Sequence, residues 1–157
     1  MSEKNVIFYG IHSEFFQVAY KIIEKMYATQ TSVREQVLFL CDNEEEVNFY
    51  NSKLWSTVQL SFIPSGNKNT IPESDAIFCY VWFSTNMVFV NNPTCLIHNG
   101  IDMSNVGCLD KFCKIIDIFN IELIDNAKQR FQIYQQNGFL DAKLWIQTDN
   151  SWKQEQF

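Results

Sequence analysis

The sequence lacks the glycine-rich motifs with which many α/β proteins bind nucleotides. It contains only five glycines in 157 residues, and neither G-x-G-x-x-G nor G-x-x-x-x-G-K-[ST] occurs. In those motifs the glycines let the backbone approach a phosphate group closely. Here the turn expected after the first apolar run contains a single glycine, Gly10, in the stretch G-I-H-S-E-F. We therefore expect no nucleotide or other cofactor.

Histidine and closely spaced cysteine are also scarce, which argues against a metal site. The two histidines, His12 and His98, are far apart, and no C-x-x-C pair occurs. Structural metal sites usually take their ligands from cysteine and histidine at short spacing. We expect no bound metal. We expect the cysteines to be buried, inert thiols, and they are Cys41, Cys79, Cys95, Cys108 and Cys113.

The sequence has no long hydrophobic segment. No apolar run approaches the ~20 residues that a membrane-spanning helix needs. The opening residues, MSEKNVIFYG, contain too short an apolar stretch for a signal peptide and no small-residue cleavage site. We therefore expect a cytoplasmic protein without a membrane partner.

The chain also lacks the excess of positive charge that is typical of nucleic-acid-binding proteins. Its net charge is −6, with eight basic and 13 acidic groups in residues 1–120 and four and five in residues 121–157. Neither part has the basic groups needed to grip phosphates directly. Binding of single-stranded DNA by aromatic stacking is an alternative, but the charge disfavours it. We expect any contact with DNA to be indirect.

Alternating strand and helix patterns occupy the first third of the chain. Apolar runs at Asn5–Tyr9 and Gln36–Leu40 are typical of buried strands. A helical pattern follows each run, first from Phe16 to Tyr27 and then from Asp42-Asn43 to about Trp55. This succession is typical of βαβ units, and it predicts an α/β fold with a mostly parallel sheet.

Polar residues mark where the two helices should begin. We expect Ser13 to cap the first helix, because a serine side chain can accept a hydrogen bond from a free N–H of the first turn. Glu46 follows Asn43 by three positions, which resembles a capping box at the start of the second helix.

The middle of the chain predicts further strands, one loop and one short helix. We expect Ser65–Asp75 to be a loop and Asp102–Phe112 to be a short helix interrupted by Gly107. The expected strands are Leu60–Pro64, Ala76–Phe83 as a central strand, Met87–Val90, Thr94–His98 and Lys114–Ile118 as the last core strand. We assign residues 1–148 to one α/β domain and residues 149–157 to a polar C-terminal tail.

A basic pair lies among aromatic residues in the segment Ala127–Trp145. Lys128 and Arg130 are the only formal charges between Asp125 and Asp141. The pattern from residue 120 to residue 137 is helical, with a glycine next in the sequence that fits the left-handed residue closing a helix. An apolar slot beside a cation suits an acidic peptide with an apolar end, and we expect this segment to be a docking surface.

The helical spacing separates the two cations. At ~100° per residue, Lys128 lies beside Phe131 while Arg130 lies at the opposite edge of the face, beside Tyr134. One carboxylate cannot contact both cations, so an anion site must recruit a second charge, for which Lys143 is the candidate. The alternative is that Phe131 and Tyr134 pack in the core and that Arg130 pins the helix to a carboxylate of the sheet.

Three blocks of the sequence match those of one known family. The opening block is KNVIFYGI, the middle block contains Leu54-Trp55 and Ser61-Phe62-Ile63-Pro64, and the closing block is A-K-Q-R-F-Q-I-Y-Q-Q-N-G-F followed by Trp145. The closing block is the most specific, with an Arg-aromatic-x-x-Tyr-x-x-x-Gly-aromatic pattern. In these blocks the sequence resembles the χ (chi) subunit of bacterial DNA polymerase III holoenzyme.

This resemblance implies a non-catalytic adaptor with a Rossmann-like, three-layer α/β sandwich whose mostly parallel central sheet has helices on both faces. The family pairs with the ψ (psi) subunit of the clamp loader. It also binds the acidic C-terminal tail of single-stranded-DNA-binding protein, which ends in a phenylalanine and its free carboxylate.

The resemblance also implies roles for particular residues. Lys128 and Phe131 match the family's tail-binding face, and Gln132 stands where relatives can carry a further basic residue. The candidate tail-binding residues are Lys128, Phe131, Gln132, Arg130, Tyr134 and Lys143. Trp55 and Phe62 fall in the block that we associate with the ψ interface.

The alternative to this reading is a nucleotide-binding α/β enzyme. Its candidate acids are Asp42, Glu44 and Glu45, which follow the second strand at the sheet edge where such folds place ligands. The sequence offers it no glycine fingerprint and no histidine–carboxylate pair.

Overall fold

The computed structural model describes residues 3–30, 35–57 and 62–157, which form an α/β fold around one eight-stranded sheet. The helices are α1 Phe15–Thr29, α2 Glu44–Thr57 and α3 Ile124–Gln136. The strands are β1 Asn5–Ile11, β2 Gln36–Leu40, β3 Ser65–Gly66, β4 Val81–Ser84, β5 Pro93–Asn99, β6 Lys114–Asn120, β7 Asp141–Gln147 and β8 Trp152–Glu155.

The sheet is mostly parallel, as predicted. Its strand order is β3-β4-β2-β5-β6-β1-β7-β8, and β8 pairs antiparallel with β7 while the other neighbouring pairs are parallel. Strand β2 is buried along its whole length, which is typical of a parallel strand covered on both faces. Its bounds are those predicted from its apolar run.

Two buried clusters form the core. In β2, Val37 and Phe39 belong to the cluster that includes the inner side chains of α1 and α2. Leu38 and Leu40 belong to the other cluster, which includes Tyr134 of α3. Alternate residues of a strand point to opposite faces, so the apolar sequence of β2 supplies both clusters.

The helix caps differ in detail from the prediction. The Glu14 carboxylate, and not Ser13, accepts the hydrogen bond from the Phe16 N–H at 3.1 Å. The Ser13 hydroxyl instead accepts from Nε2 of Gln147 at 2.8 Å, which ties the start of α1 to β7.

At α2 the predicted capping interaction is present with one shift. Oδ1 of Asn43 accepts from the Glu46 N–H at 2.8 Å. The Glu46 carboxylate bonds the N–H of Asp42 at 3.0 Å rather than that of Asn43.

Five predictions for the middle of the chain were wrong in whole or in part. The segment predicted as a loop contains strand β3. The segment predicted as the central strand Ala76–Phe83 begins within a 3₁₀ helix, Glu73–Phe78. Strand β4 therefore starts only at Val81, and it is the second strand from a sheet edge. Met87–Val90 is not a strand, and Asp102–Phe112 contains only a three-residue 3₁₀ turn. In the predicted strand Leu60–Pro64, residues 62–64 are irregular and the first two lie outside the described residues.

Gly10 and the end of the chain also depart from the prediction. Gly10 lies inside β1 and makes no turn; a Cβ there would come within 2.8 Å of Cδ1 of Ile121 and 3.1 Å of Cζ of Phe119. The absence of a side chain at Gly10 therefore lets apolar side chains pack over the strand.

Lys114–Ile118 is not the last core strand, because β7 continues the sheet beside β1. The segment 149–157 contributes β8 to the sheet.

Candidate functional site

Helix α3 ends in a Schellman motif around the glycine that the sequence places there. Gly138 has φ +93°, and its N–H donates to the carbonyl of Gln135 at 3.1 Å. The Phe139 N–H donates to the carbonyl of Tyr134 at 3.0 Å, and the rings of these two residues lie 6.4 Å apart. This is the pattern of bonds and apolar contact that defines the motif, and it directs the chain from α3 into β7.

Arg130 and Tyr134 belong to a buried network and not to the surface of α3. The Arg130 guanidinium donates two hydrogen bonds to Asp117 of β6, from Nε to Oδ2 at 2.7 Å and from Nη2 to Oδ1 at 2.9 Å. The Tyr134 hydroxyl donates to the same Oδ2 at 2.7 Å. Asp117 is fully buried, Tyr134 is fully buried and Arg130 is 5% exposed. Arg130 therefore pins α3 to a sheet carboxylate, which was the alternative considered for it.

His98 completes this network in its neutral form. Its Nδ1 accepts from the Ile101 N–H at 3.0 Å, so Nε2 carries the proton and lies 2.7 Å from the Tyr134 hydroxyl. Burial lowers the pKa of His98 to about 4, against the opposing attraction of Asp117. The network thus holds one cation and one anion, which is the balance that a buried ion pair requires.

The remaining candidate tail-binding residues lie on the outer surface. Phe131 is half-buried, and it lines a groove of about 320 Å³ together with Lys143 of β7. The groove lies between α3, β7 and the segment that follows β8, and its other lining residues are Leu140, Asp141, Ala142, Leu144, Gln154, Glu155, Gln156 and Phe157. Ala142 and Leu144 pack in the same cluster as Phe131, so Lys143, which alternates with them along β7, directs its side chain to the opposite face of the sheet. The prediction that Lys143 supplies the second cation beside Phe131 was therefore wrong.

Lys128 and Gln132 lie on the exposed surface of α3, and neither is among the residues that line this groove. The side chain of Lys128 is 51% exposed, and its Nζ lies 4.0 Å from Oδ1 of Asp125, the distance of a weak surface pair. Gln132 is exposed beside Phe131. Lys128 precedes Phe131 by three positions, so the two side chains occupy neighbouring places on the same helix surface.

Two groove residues were not predicted from the sequence. Leu140 is 75% exposed, and Phe157 lies in the segment described as a polar tail. The sequence signal that could have indicated Phe157 is its aromatic side chain in a stretch where Trp152 is the other aromatic residue. No helical or strand periodicity connects Phe157 to Phe131.

A second exposed surface is aromatic and lies near β3. Trp55 is 50% exposed and Phe62 is 55% exposed, and their rings meet edge to face with centroids 4.8 Å apart. Phe78, which is 67% exposed, lines a groove of about 360 Å³ with Phe62. We call Trp55, Phe62 and Phe78 the aromatic patch. Phe78 was missed because it was assigned to a buried strand, whereas it ends the 3₁₀ helix.

The acids that a nucleotide-binding enzyme would use do not converge on one site. Asp42 lines a pocket at the ends of β2 and β4. Glu44 is paired with Lys68 at 3.0 Å, and this partner holds the pKa of Glu44 below its usual range. Glu45 is exposed. Among the described residues, no three histidine, cysteine or acidic side chains are grouped so that they could hold a metal ion.

Three of the cysteines are buried as expected: Cys41, Cys79 and Cys95. Burial raises the pKa of the Cys95 thiol to about 12, which keeps it in the unreactive thiol form. The expectation of burial was wrong for Cys108, which is exposed. Cys108 has φ +66° in the irregular segment where a helix was predicted.

Comparison with known proteins identifies the family. The family model described as DNA polymerase III chi subunit, HolC, matches residues 3–141 of the 157-residue chain. No individual curated protein matches the chain significantly. Within residues 3–30, 35–57 and 62–157, no helix is long and apolar enough to cross a bilayer. The family match spans β1 through α3, and the chain therefore belongs to the chi family of accessory subunits of DNA polymerase III.

Proposed function

We propose that this chain is a non-catalytic adaptor that links the clamp loader, through the ψ subunit, to the acidic C-terminal tail of single-stranded-DNA-binding protein during DNA replication in the bacterial cytoplasm. The observation that carries the proposal is the exposed groove lined by Phe131, with the exposed Lys128 three positions earlier on α3. Contact with DNA is then indirect, in keeping with the net charge of −6.

The chemistry of the groove fits a peptide that ends in an aromatic residue and a carboxylate. Phe131 and the apolar side chains around it supply a place for the aromatic ring. Lys128, three positions before Phe131 on α3, supplies an exposed cation that can bond the carboxylate. Hydrogen bonds between charged groups are roughly twice as strong as neutral ones.

Two acids in the groove limit how strongly an acidic peptide is attracted. Asp141 and Glu155 both line it. Glu155 is already paired with Lys153 at 3.0 Å, while Asp141 opens β7. Gln132 adds no compensating cation. We therefore assign most of the binding energy to the aromatic contact and a single charged bond.

In this proposal the Arg130 and Tyr134 side chains hold α3 in place and do not bind the peptide. Their bonds to Asp117 fix the rotation of α3 about its axis, which presents Phe131 and Lys128 outward. They are positioning residues and do not touch the peptide.

A binding measurement tests the tail site. Lys128→Glu and Phe131→Ala proteins should each bind a synthetic acidic peptide ending in phenylalanine at least about tenfold more weakly than the unchanged protein, a loss of about 1.4 kcal/mol. The matched control is Lys25→Glu on α1, which makes the same charge reversal at an exposed position away from the groove. Isothermal titration calorimetry measures all four proteins.

Circular dichroism and thermal melting establish that the variants are folded. If both folded variants bind as tightly as the Lys25→Glu protein, the site lies elsewhere. Binding should also weaken with added salt, because salt screens exposed charges over about 8 Å at physiological ionic strength. A peptide whose last residue is alanine should bind weakly to every one of these proteins.

The aromatic patch supports assignment of the ψ interface to Trp55 and Phe62. Two adjoining rings that are each about half exposed are costly to leave in water and are typical anchors of protein interfaces. Phe78 extends the same surface. The protein partner buries these rings and thereby gains the apolar contact that the monomer lacks.

The proposal includes a Rossmann-like, three-layer arrangement. It is supported by the two core clusters, one formed with α1 and α2 and the other with α3. In this arrangement α3 lies on a different face from α1 and α2, and its outer surface is free for the tail.

A further inference from the structure

Phe157 lies in the groove that we propose for the tail peptide. Its ring packs edge-on against Phe8 of β1, with centroids 4.8 Å apart and an interplanar angle of 89°. It also stacks on Phe131, with centroids 5.6 Å apart and an angle of 30°. Phe157 is 38% exposed, so the greater part of its surface is covered. An aromatic subsite made by Phe8 and Phe131 is thus occupied by a residue of the same chain.

The path of the chain explains how Phe157 reaches this subsite. A turn in which the Thr148 N–H donates to the carbonyl of Ser151 at 2.8 Å reverses the chain after β7. Strand β8 then pairs with β7, and Trp152 packs against Tyr9 with centroids 5.4 Å apart. The last two residues continue past β8 toward α3 and bring the ring of Phe157 to Phe131.

The segment 152–157 is attached to the rest of the protein by few contacts. All four residues of β8 are exposed, and apart from the partly covered Trp152, which is 38% exposed, β8 buries no apolar side chain. Its attachment rests on the strand pairing, the Trp152 contact and the Phe157 contacts. Elements with few buried apolar contacts open at low free-energy cost, and this one can leave the groove without unfolding the core.

We propose that residues 152–157 are a built-in competitor for the tail-binding groove, with Phe157 occupying the subsite that a partner's aromatic side chain must enter. The proposal rests on the proposed function. The apparent dissociation constant for the peptide is then the intrinsic constant divided by the fraction of molecules whose groove is open. The segment also sets the specificity of the groove, because a ligand without an aromatic ring cannot replace the contacts that Phe157 gives up.

Removal of the Phe157 ring tests this inference. The Phe157→Ala protein should bind the acidic, phenylalanine-ended peptide about three- to tenfold more tightly than the unchanged protein, since the open fraction rises. The control is Phe49→Ala, which removes an exposed phenylalanine ring from α2, away from the groove, and its affinity should equal that of the unchanged protein. A Phe157→Tyr protein should also resemble the unchanged protein, because the ring is kept.

A second readout follows the ring itself. In nuclear magnetic resonance spectra, through-space contacts between the rings of Phe157 and Phe8 should be present in the free protein and should vanish when the peptide saturates the groove. Persistence of these contacts in the saturated complex would show that peptide and segment do not compete, which overturns the inference.

The outcomes separate this inference from the proposed function. If the unchanged protein binds the peptide in a Lys128-dependent manner and Phe157→Ala binds equally or more weakly, the function stands and the competitor does not; weaker binding would make Phe157 part of the peptide's contact surface. If none of the proteins binds the peptide, Phe157→Ala included, both proposals fail.

Discussion

At the scale of single residues, Asp117 has more influence on the structure than any exposed charge described above. Its two oxygens accept three hydrogen bonds from Arg130 and Tyr134 in a fully buried position. The pair joins α3 to β6, and a buried charge is tolerated only while its partner remains. The network therefore stabilises one orientation of the helix that carries Lys128.

We expect Asp117→Asn to destabilise the protein by roughly 3–5 kcal/mol, because it leaves the buried Arg130 cation without a counter-charge. The control is Asp125→Asn. The Asp125 carboxylate is 89% exposed and lies 4.0 Å from Nζ of Lys128, the distance of a weak surface pair. Its replacement should lower the free energy of unfolding by less than about 0.5 kcal/mol. Urea unfolding measures both values. Equal stabilities of the two variants would show that the buried pair has no such importance.

Some of these residue roles could be predicted from the sequence, and others could not. Helical spacing alone separated Lys128 from Arg130 and left a sheet carboxylate as the partner of Arg130. It could not name Asp117 or His98, because their contacts with α3 depend on which strand the helix crosses. Phe157 was unpredictable for the same reason, since its place beside Phe131 depends on the return of the chain after β7.

At the scale of elements, the end of α3 sets the direction of β7. The Schellman bonds require a residue with positive φ at the position of Gly138, where φ is +93°. A Cβ at this position would meet only Cδ of Lys4 at 3.5 Å and Nζ of Lys4 at 4.0 Å. The constraint on this position is therefore backbone conformation and not space.

We expect Gly138→Ala to reduce stability by roughly 1–2 kcal/mol, the cost of placing a side chain in a left-handed conformation. Gly107→Ala is the matched control, because nothing lies within 4 Å of its added Cβ and its φ is not in that region; it should be neutral or slightly stabilising. Thermal unfolding followed by circular dichroism compares the two. A Gly138→Ala protein as stable as the control would contradict the role assigned to this glycine.

The elements that the sequence predicted well were those with a strong period. Strand β2 was predicted with its observed bounds, and the end of α3 was marked by its glycine. The region from residue 101 to residue 113 failed, because Met103, Leu109 and Phe112 are each buried there without a helix to space them. Apolar residues that anchor an irregular segment one at a time leave a pattern that resembles a short helix.

At the scale of the whole molecule, the two proposed partner surfaces lie at opposite edges of the sheet. The aromatic patch borders β3, and the groove borders β7 and β8, at the two ends of the strand order. Neighbouring strands are about 4.8 Å apart, so the seven intervals between the outer strands span about 34 Å. The two proposed surfaces are therefore not adjacent.

We expect the two surfaces to bind independently. Saturation with ψ should change the affinity for the acidic peptide by less than about twofold, since the two surfaces lie at opposite ends of the strand order. Trp55→Ala should weaken ψ binding while leaving peptide affinity unchanged, and Lys128→Glu should do the reverse. Titration of the peptide into the free protein and into the ψ complex measures the coupling. A large change in peptide affinity on ψ binding would contradict this separation.

The short strand β3 and the charged strand β8 have a consequence for how this molecule can associate. An open sheet edge offers free backbone groups to any extended chain, and proteins protect such edges with short strands or charged side chains. Here one edge strand has two residues, and the other carries Lys153 and Glu155 on exposed positions. Both edges therefore disfavour pairing with strands of other proteins. Binding of a partner then depends on side chains, so that substitutions can change affinity without altering the backbone of the sheet.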